Sequence, residues 1–375
     1  MRFSFSDEQE EFRLVLRRFL AGKSPTTEVR RQMATEQGFD REAWRKLNQE
    51  MGLTAVHIPE TYGGQGFGDV ELGIVMEEAG RALVCAPLLA SVLAATAILH
   101  GANEEQKRRL LPAIATGDKI ATFAFTEANG RWDAGGVAMT ATPAGGKFRL
   151  DGTKSFVLDG CAADLIVVAA RKPGTNGDDG LSLFAVPSDA KELERKPLQV
   201  LDPTRKLARL TFNGVEAELI GEEGKAAAAF ARTLTLATVY LASEMVGGAE
   251  RLREDALAYA KMRMQFGRPI AAFQSMKHKQ ADMLVEVELA KSAAYYAAAA
   301  AAEGDDDLPA LASLAKAAAS DAYMQTAIHA IQIHGGIGFT FDNDTHLWFK
   351  RAKASEVFLG DAHHHRELMM RHWNV

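Results

Sequence analysis

Two cysteines, Cys85 and Cys161, are all that the 375 residues contain. They stand far apart and in no metal-ligand spacing, which gives no basis for a disulfide framework or a thiolate–metal centre and leaves both as small core residues. No run of eighteen uninterrupted apolar residues occurs, so a membrane-spanning helix is not expected. The net charge of −6 is spread along the chain, without a basic run or a basic–aromatic stripe. Neither nucleic acid nor an anionic membrane finds an electrostatic footprint here. The first residues, MRFSFSDEQEEF, are acidic and helical in pattern rather than charged and then apolar, so no signal peptide is read and a cytoplasmic location is expected. Dinucleotide and nucleotide signatures are also missing: there is no G-x-G-x-x-G motif and no P-loop.

Two features that invite a metal carry little. The acidic stretch EGDDDLPA (303–310) lacks the ligand spacing and glycine of an EF-hand loop and reads as a solvated loop, with Asp307 capping the next helix and Pro309 near its first position. His363, His364 and His365 are adjacent, and on a helix they point in three directions, so they cannot chelate one ion as an i, i+4 pair does. His363 is better placed near a nucleotide.

The chain is long enough for two or three packed units with a large buried interior. Ser6 and Gln9 have capping-box spacing, and Phe12, Val15 and Phe19 form one apolar stripe. A second helix is expected after Asp40, with Trp44, Leu47 and Met51 on one face, and a third after the glycine-rich turn ETYGGQGFGD. From Ile120 the texture turns to short β-rich runs, IATFAF, KFRLDG, KSFVLDG, DLIVVAAR and LSLFAV, broken at Pro143–Gly146, Asp151-Gly152 and Asp159-Gly160. After Gly221 and Gly224 the helical period returns, rich in alanine. The expected fold is α+β and multidomain: an N-terminal helical domain (1–119), a central β-barrel or sandwich (120–222) and a C-terminal four-helix bundle (223–375). In the stretch MRMQFGRPIAAFQSMKH (262–278) a helix is expected to end near Gly267, stopped by Pro269, and another to open at Phe273.

That stretch, together with GANEEQKRRLLPAIATGD (101–118), FTEANGRWD (125–133), LDGTKSFVLDGCAAD (150–164) and QIHGGIGF (332–339), resembles the acyl-CoA dehydrogenase family across essentially the full length. The resemblance implies FAD as cofactor, an acyl-CoA substrate, an electron-transfer flavoprotein as acceptor, and a homodimer, homotetramer or heterotetramer with a second acyl-CoA dehydrogenase chain. It assigns Phe123, Thr126, Phe156 and Leu158 to the wall of the flavin ring, which needs flat apolar surface and a few donors. It assigns Arg263, Phe266, Gln274, Gln332, Gly335 and Gly336 to FAD held with a neighbouring subunit. A planar guanidinium suits the pyrophosphate, and glycines permit close backbone approach.

The family reaction also needs a carboxylate base whose pKa burial raises toward neutrality. Its usual position, before the glycine of the last helix-breaking loop, here holds Leu359, and the minority position holds Ala237. The catalytic candidates are therefore Glu244, on the helical face of Ala237 about 10 Å along, and Asp361. Glu244 has the alternative of a structural carboxylate met by a helix terminus or an arginine, and Asp361 that of a contact to adenosine or to a helix end. Trp132 stands where the family has a phosphate-contacting serine. The expected activity is α,β-dehydrogenation of an acyl-CoA. The alternatives are a non-catalytic partner subunit of a heteromeric acyl-CoA dehydrogenase, as in steroid or dicarboxylate degradation, and a flavin monooxygenase or oxidase on the same fold.

Overall fold

A computed structural model of the chain describes residues 5–375; residues 1–4, the start of the expected first domain, lie outside it. Among the described residues α1 (Asp7–Lys23), α2 (Thr26–Met33), α3 (Arg41–Met51), α4 (Asp69–Arg81), α5 (Leu88–Gly101) and α6 (Glu104–Ala115) come before the main sheet. The sheet consists of β1 (Ala121–Ala124), β2 (Thr140–Ala144), β3 (Lys147–Leu158), β4 (Leu165–Arg171), β5 (Leu181–Pro187), β6 (Leu193–Pro197) and β7 (Leu207–Ile220). Then follow α7 (Ala227–Met262), the hairpin β8 (Met264–Gln265) and β9 (Arg268–Pro269), α8 (Gln274–Glu303), α9 (Leu308–His334), α10 (Thr345–Val357) and α11 (Ala362–His372). No helix among these residues is long and apolar enough to cross a membrane.

Two compact units divide this chain, one of Met1–Arg31, Asp69–Val84 and Thr238–Val375, the other of Gln32–Gly68 and Cys85–Ala237. The second holds β1 to β7. β5 pairs with both β4 and β7, so β4, β2, β3, β7 and β5 close into a barrel, with β1 beside β4 and β6 beside β7. Closure removes the unpaired edges that an open sheet exposes. Helix α5, LLASVLAATAILHG, is apolar around its whole circumference and packs on β1 and β4, which explains why those strands are buried on both faces. KFRLDG and KSFVLDG are one strand, not two: β3 runs on through Asp151-Gly152, the register with β7 shifting between Leu150 and Asp151 where Gly214 of β7 is the extra residue, and a bulge on β3 itself between Lys154 and Val157 puts Phe156 at φ +57°. Cys161, expected in the core, is exposed in the turn after β3.

The first unit is helical. The Ser6–Gln9 capping box forms in both directions, and alanine-rich α8 and α9 pack along each other. Helices α4 and α7 touch through glycine: a Cβ on Gly80 would lie 2.0 Å from the Glu244 carbonyl oxygen, and one on Gly247 1.8 Å from that of Glu77. Any side chain there would push the helices apart. Asp307 occupies the cap position of α9 without its carboxylate accepting a cap bond; Asp305 takes the Asp307 N–H instead, at 2.8 Å. Helix α7 stops at Met262, ahead of Gly267. Phe266 (φ +51°) and Gly267 (φ +74°) form the two-residue turn of the β8–β9 hairpin, whose backbone requires positive φ at both positions.

Candidate functional site

In the barrel unit, β1 with the segment after it and the end of β3 come together. Thr122 Oγ1 donates to the Leu158 carbonyl at 2.6 Å, and the Ser155 N–H donates to the Thr126 carbonyl at 2.8 Å. Phe123, Thr126, Phe156 and Leu158 therefore share one neighbourhood. Phe123 and Leu158 are buried, whereas the bulge turns Phe156 outward, 47 % exposed. Phe123 packs against Phe125 and Phe230, with ring centroids 5.0 and 5.9 Å away, and Trp132 lays its indole toward Phe125 at 6.1 Å. A buried ion pair stiffens the wall. Lys154 Nζ lies 2.7 Å from Glu127 Oε1, while that carboxylate also accepts the N–H groups of Ala138 and Met139. Desolvation pushes the Lys154 ammonium down to about 8 against the pull of Glu127.

In the helical unit the structure collects the second group. Tyr259 on α7 stacks on His334 of α9 with centroids 4.3 Å apart, and Lys279 of α8 donates to Gln332 at 2.8 Å. These contacts bring the segment containing Arg263, Phe266 and Gln274 beside Gln332, Gly335 and Gly336. The group faces outward: Phe266 is 91 % exposed, Met262 and Met264 just before it are exposed, and so are Phe339 and Phe341 in the segment after Gly336. The Arg263 guanidinium has no ion-pair partner among the described residues, and Arg268 lies over the Phe273 ring at 4.1 Å. A Cβ on Gly335 or Gly336 would meet nothing within 4 Å. His363 lies apart from this group, exposed on the first turn of α11.

Both carboxylate candidates have partners of their own. Glu244 is buried, and its Oε1 accepts from Arg351 Nη1 of α10 at 2.7 Å, with both side chains at most 5 % exposed. A carboxylate held by a buried guanidinium favours its charged form. Asp361 is exposed and caps α11 by accepting the His364 N–H at 2.8 Å, which holds its carboxyl below the usual range, opposite to what a base at neutral pH requires. Leu359, just before it in the same turn, is buried and left-handed (φ +63°). Ala237 is likewise buried.

Sequence reasoning passed over Lys316. Its Nζ donates to Ser320 Oγ (3.0 Å) and to the carbonyls of Glu356 (3.1 Å) and Gly360 (3.0 Å), and its side chain is fully buried. Burial drives it down to about 7, against the pull of Glu356, Asp361 and Asp321. His365, 3.3 Å from Ser313 Oγ, is pushed to about 3 by burial and by Lys316. A single lysine inside the alanine run ASLAKAAAS was the available signal. Among the described residues no cluster of His, Cys, Asp and Glu could hold a metal.

Family models match the chain in three consecutive parts: the acyl-CoA dehydrogenase N-terminal domain over residues 6–118, the middle domain over 122–215 and the C-terminal domain over 227–373. Acyl-CoA dehydrogenase IpdE2 of Mycobacterium tuberculosis is 33 % identical over 353 residues, covering 94 % of this chain and 93 % of its own length. Among solved structures, butyryl-CoA dehydrogenase of Megasphaera elsdenii superposes with a TM-score of 0.92 at 28 % identity, covering 100 % of both chains. A variant of the Tcur3481-Tcur3483 steroid ACAD gives 0.87 at 30 % identity, covering 97 % of this chain and 96 % of its own.

Proposed function

Because the chain belongs to the acyl-CoA dehydrogenase family, we propose that it works as a base-lacking subunit of an acyl-CoA dehydrogenase that shares its FAD sites between subunits. The observation that carries this reading is the turn at residue 359. It offers a buried leucine, while Glu244 is committed to Arg351 and Asp361 to a helix cap. The neighbouring chain supplies the carboxylate, and the assembly removes two hydrogens from the carbons next to a CoA thioester and passes electrons to an electron-transfer flavoprotein. The parts 1–119, 120–222 and 223–375 serve as its working divisions.

The residues fit FAD in kind. A guanidinium with no ion-pair partner among the described residues (Arg263), two amides (Gln274, Gln332) and the open backbone at Gly335-Gly336 suit a pyrophosphate and its sugars; the Phe123–Phe156 wall suits an aromatic ring. When bound, FAD supplies the acceptor for the hydride equivalent. This chain's residues bind and orient: Arg263 neutralises phosphate charge, and Phe266 and its apolar neighbours lose water against the adjoining subunit. An outward Phe266 on a tight turn, with Met262 and Met264 also exposed just before it, supports an assembly of two or more chains. The name of the steroid ACAD relative, which joins two designations, is consistent with a second chain of different sequence.

Expression alone and co-expression with a base-bearing acyl-CoA dehydrogenase chain test this reading, with anaerobic flavin bleaching by a panel of acyl-CoAs as readout. Bleaching is expected only in the mixed assembly. Bleaching at an ordinary dehydrogenase rate by the chain alone refutes it, and rapid reoxidation of the reduced flavin by air indicates an oxidase or monooxygenase instead.

A further inference from the structure

The turn from Phe358 to Asp361 is held in a conformation that its sequence does not favour. Leu359 has φ +63°, a left-handed region unfavourable for a residue with a Cβ, and Gly360 follows at φ +103°. Strain of this kind persists only where the surroundings over-determine the backbone. The turn's own bonds are long: Phe358 N–H to the Ala354 carbonyl at 3.2 Å and Gly360 N–H to that of Val357 at 3.3 Å. The stronger restraint comes from α9. The Lys316 amine reaches the Glu356 carbonyl, one of the last of α10, and the Gly360 carbonyl, so it grips the chain on both sides of Leu359. Helix ends leave such carbonyls without intrahelical partners, and a cation at a helix C-terminus is favoured by the helix dipole. Its third contact, Ser320 Oγ one turn along α9, aims the amine at the turn. The site accommodates either protonation state: the ammonium donates to all three oxygens, whereas the neutral amine donates to the two carbonyls and accepts from the Ser320 hydroxyl. With no exposed surface, the amine itself cannot meet a substrate.

We propose that Lys316 is a positioning residue: it clamps the Glu356 and Gly360 carbonyls and thereby fixes the left-handed turn that presents residue 359 to the acyl thioester. The clamp stands on the contacts alone, while its effect on the acyl thioester rests on the function proposed above. The side chain acts through the turn and performs no proton transfer.

Two readouts on the full-length chain, co-assembled with its base-bearing partner, test the clamp and its consequence separately. Hydrogen–deuterium exchange of residues 356–362 is compared between wild type and Lys316→Met, which keeps length and removes the donors, with the interior of α8 as internal control. Exchange in the turn is expected to rise about ten-fold or more while α8 is unchanged. In flavin-bleaching kinetics, KM for acyl-CoA is expected to rise about ten-fold with a smaller change in kcat, at undiminished flavin content. Unchanged exchange in the turn overturns the proposal, and so does raised exchange with unaltered kinetics. If turn exchange rises in Lys316→Met but wild type bleaches in no assembly, the clamp stands and the dehydrogenase reading falls. Should Lys316→Met not fold, Ser320→Ala keeps the lysine and loosens its aim; a rise of about three-fold in turn exchange is expected, and none overturns the clamp.

Discussion

Breaking the Glu244–Arg351 pair from one side should be severe, and breaking it from both sides mild. The pair lies at 2.7 Å between α7 and α10 with both side chains at most 5 % exposed. Arg351→Met fills similar volume but leaves a buried carboxylate without its guanidinium, a change that costs about 3–5 kcal/mol. Glu244→Leu combined with Arg351→Met removes both charges, and apolar replacement of a whole buried pair is often neutral or stabilising. The double variant should therefore recover at least about 2 kcal/mol relative to Arg351→Met alone, a coupling expected of residues in direct contact. Urea unfolding followed by tryptophan fluorescence reads this directly, because Trp348 lies one turn from Arg351 on α10. The same variants bear on mechanism. A proton-abstracting Glu244 would have a raised pKa and gain little from an arginine, so Arg351→Met would then cost less than about 1 kcal/mol. A loss that small, or strict additivity of the two changes, would falsify the assignment of Glu244 as a structural carboxylate.

Three further outcomes are expected. Phe266→Asp should leave the helical content and folding midpoint of the chain intact while dissociating the assembly, seen by light scattering on a sizing column, because the ring is 91 % exposed and meets Phe273 edge-on at 6.1 Å; an unchanged mass refutes it. Leu359→Glu should introduce slow acyl-CoA bleaching by the chain without a base-bearing partner, since it returns a carboxylate to the position the family uses; bleaching no faster than wild type counts against that placement. Lys316 sets a pH dependence. Its folded pKa of about 7 lies below the ordinary 10.5, so between these values the unfolded chain binds more protons and stability rises with pH, by at most about 1.4 kcal/mol per unit. Wild type should gain on Lys316→Met between pH 7 and 9 in parallel urea titrations. The Lys154 shift, of the same sign, cancels in that comparison, and a stability difference, wild type minus variant, that falls with rising pH rules the account out.

Much of the fold was readable because local rules and tertiary context agree. The Ser6 capping box, the α3 start at Asp40 and the return of helix after Gly221 are set by residues within a few positions of each other, and each forms as the pattern predicts. Reading failed where a distant partner decides. Asp151-Gly152 looks like a chain break, yet pairing with β7 carries β3 straight through it, the irregularity falling on Gly214 of the partner strand. Gly267 looks like a helix stop, yet the pairing of Met264 with Pro269 pulls the chain out of the helix sooner. Lys316 looks like one more polar residue in an alanine run, and its carbonyl partners are forty and forty-four residues away.

The sequence by itself determined the α, β, α order, the family and, through what is missing at residues 359 and 237, the question of the base. Those depend on residue identity and spacing alone. Only the tertiary structure decided what the remaining carboxylates touch. Whether a buried glutamate is a base or half of an ion pair depends on which charge folding brings to it. Arg351 reaches Glu244 across 107 positions of chain, while Asp361 stays exposed with its oxygen on a helix N–H. A pKa is a property of that environment, and one-dimensional spacing does not contain it.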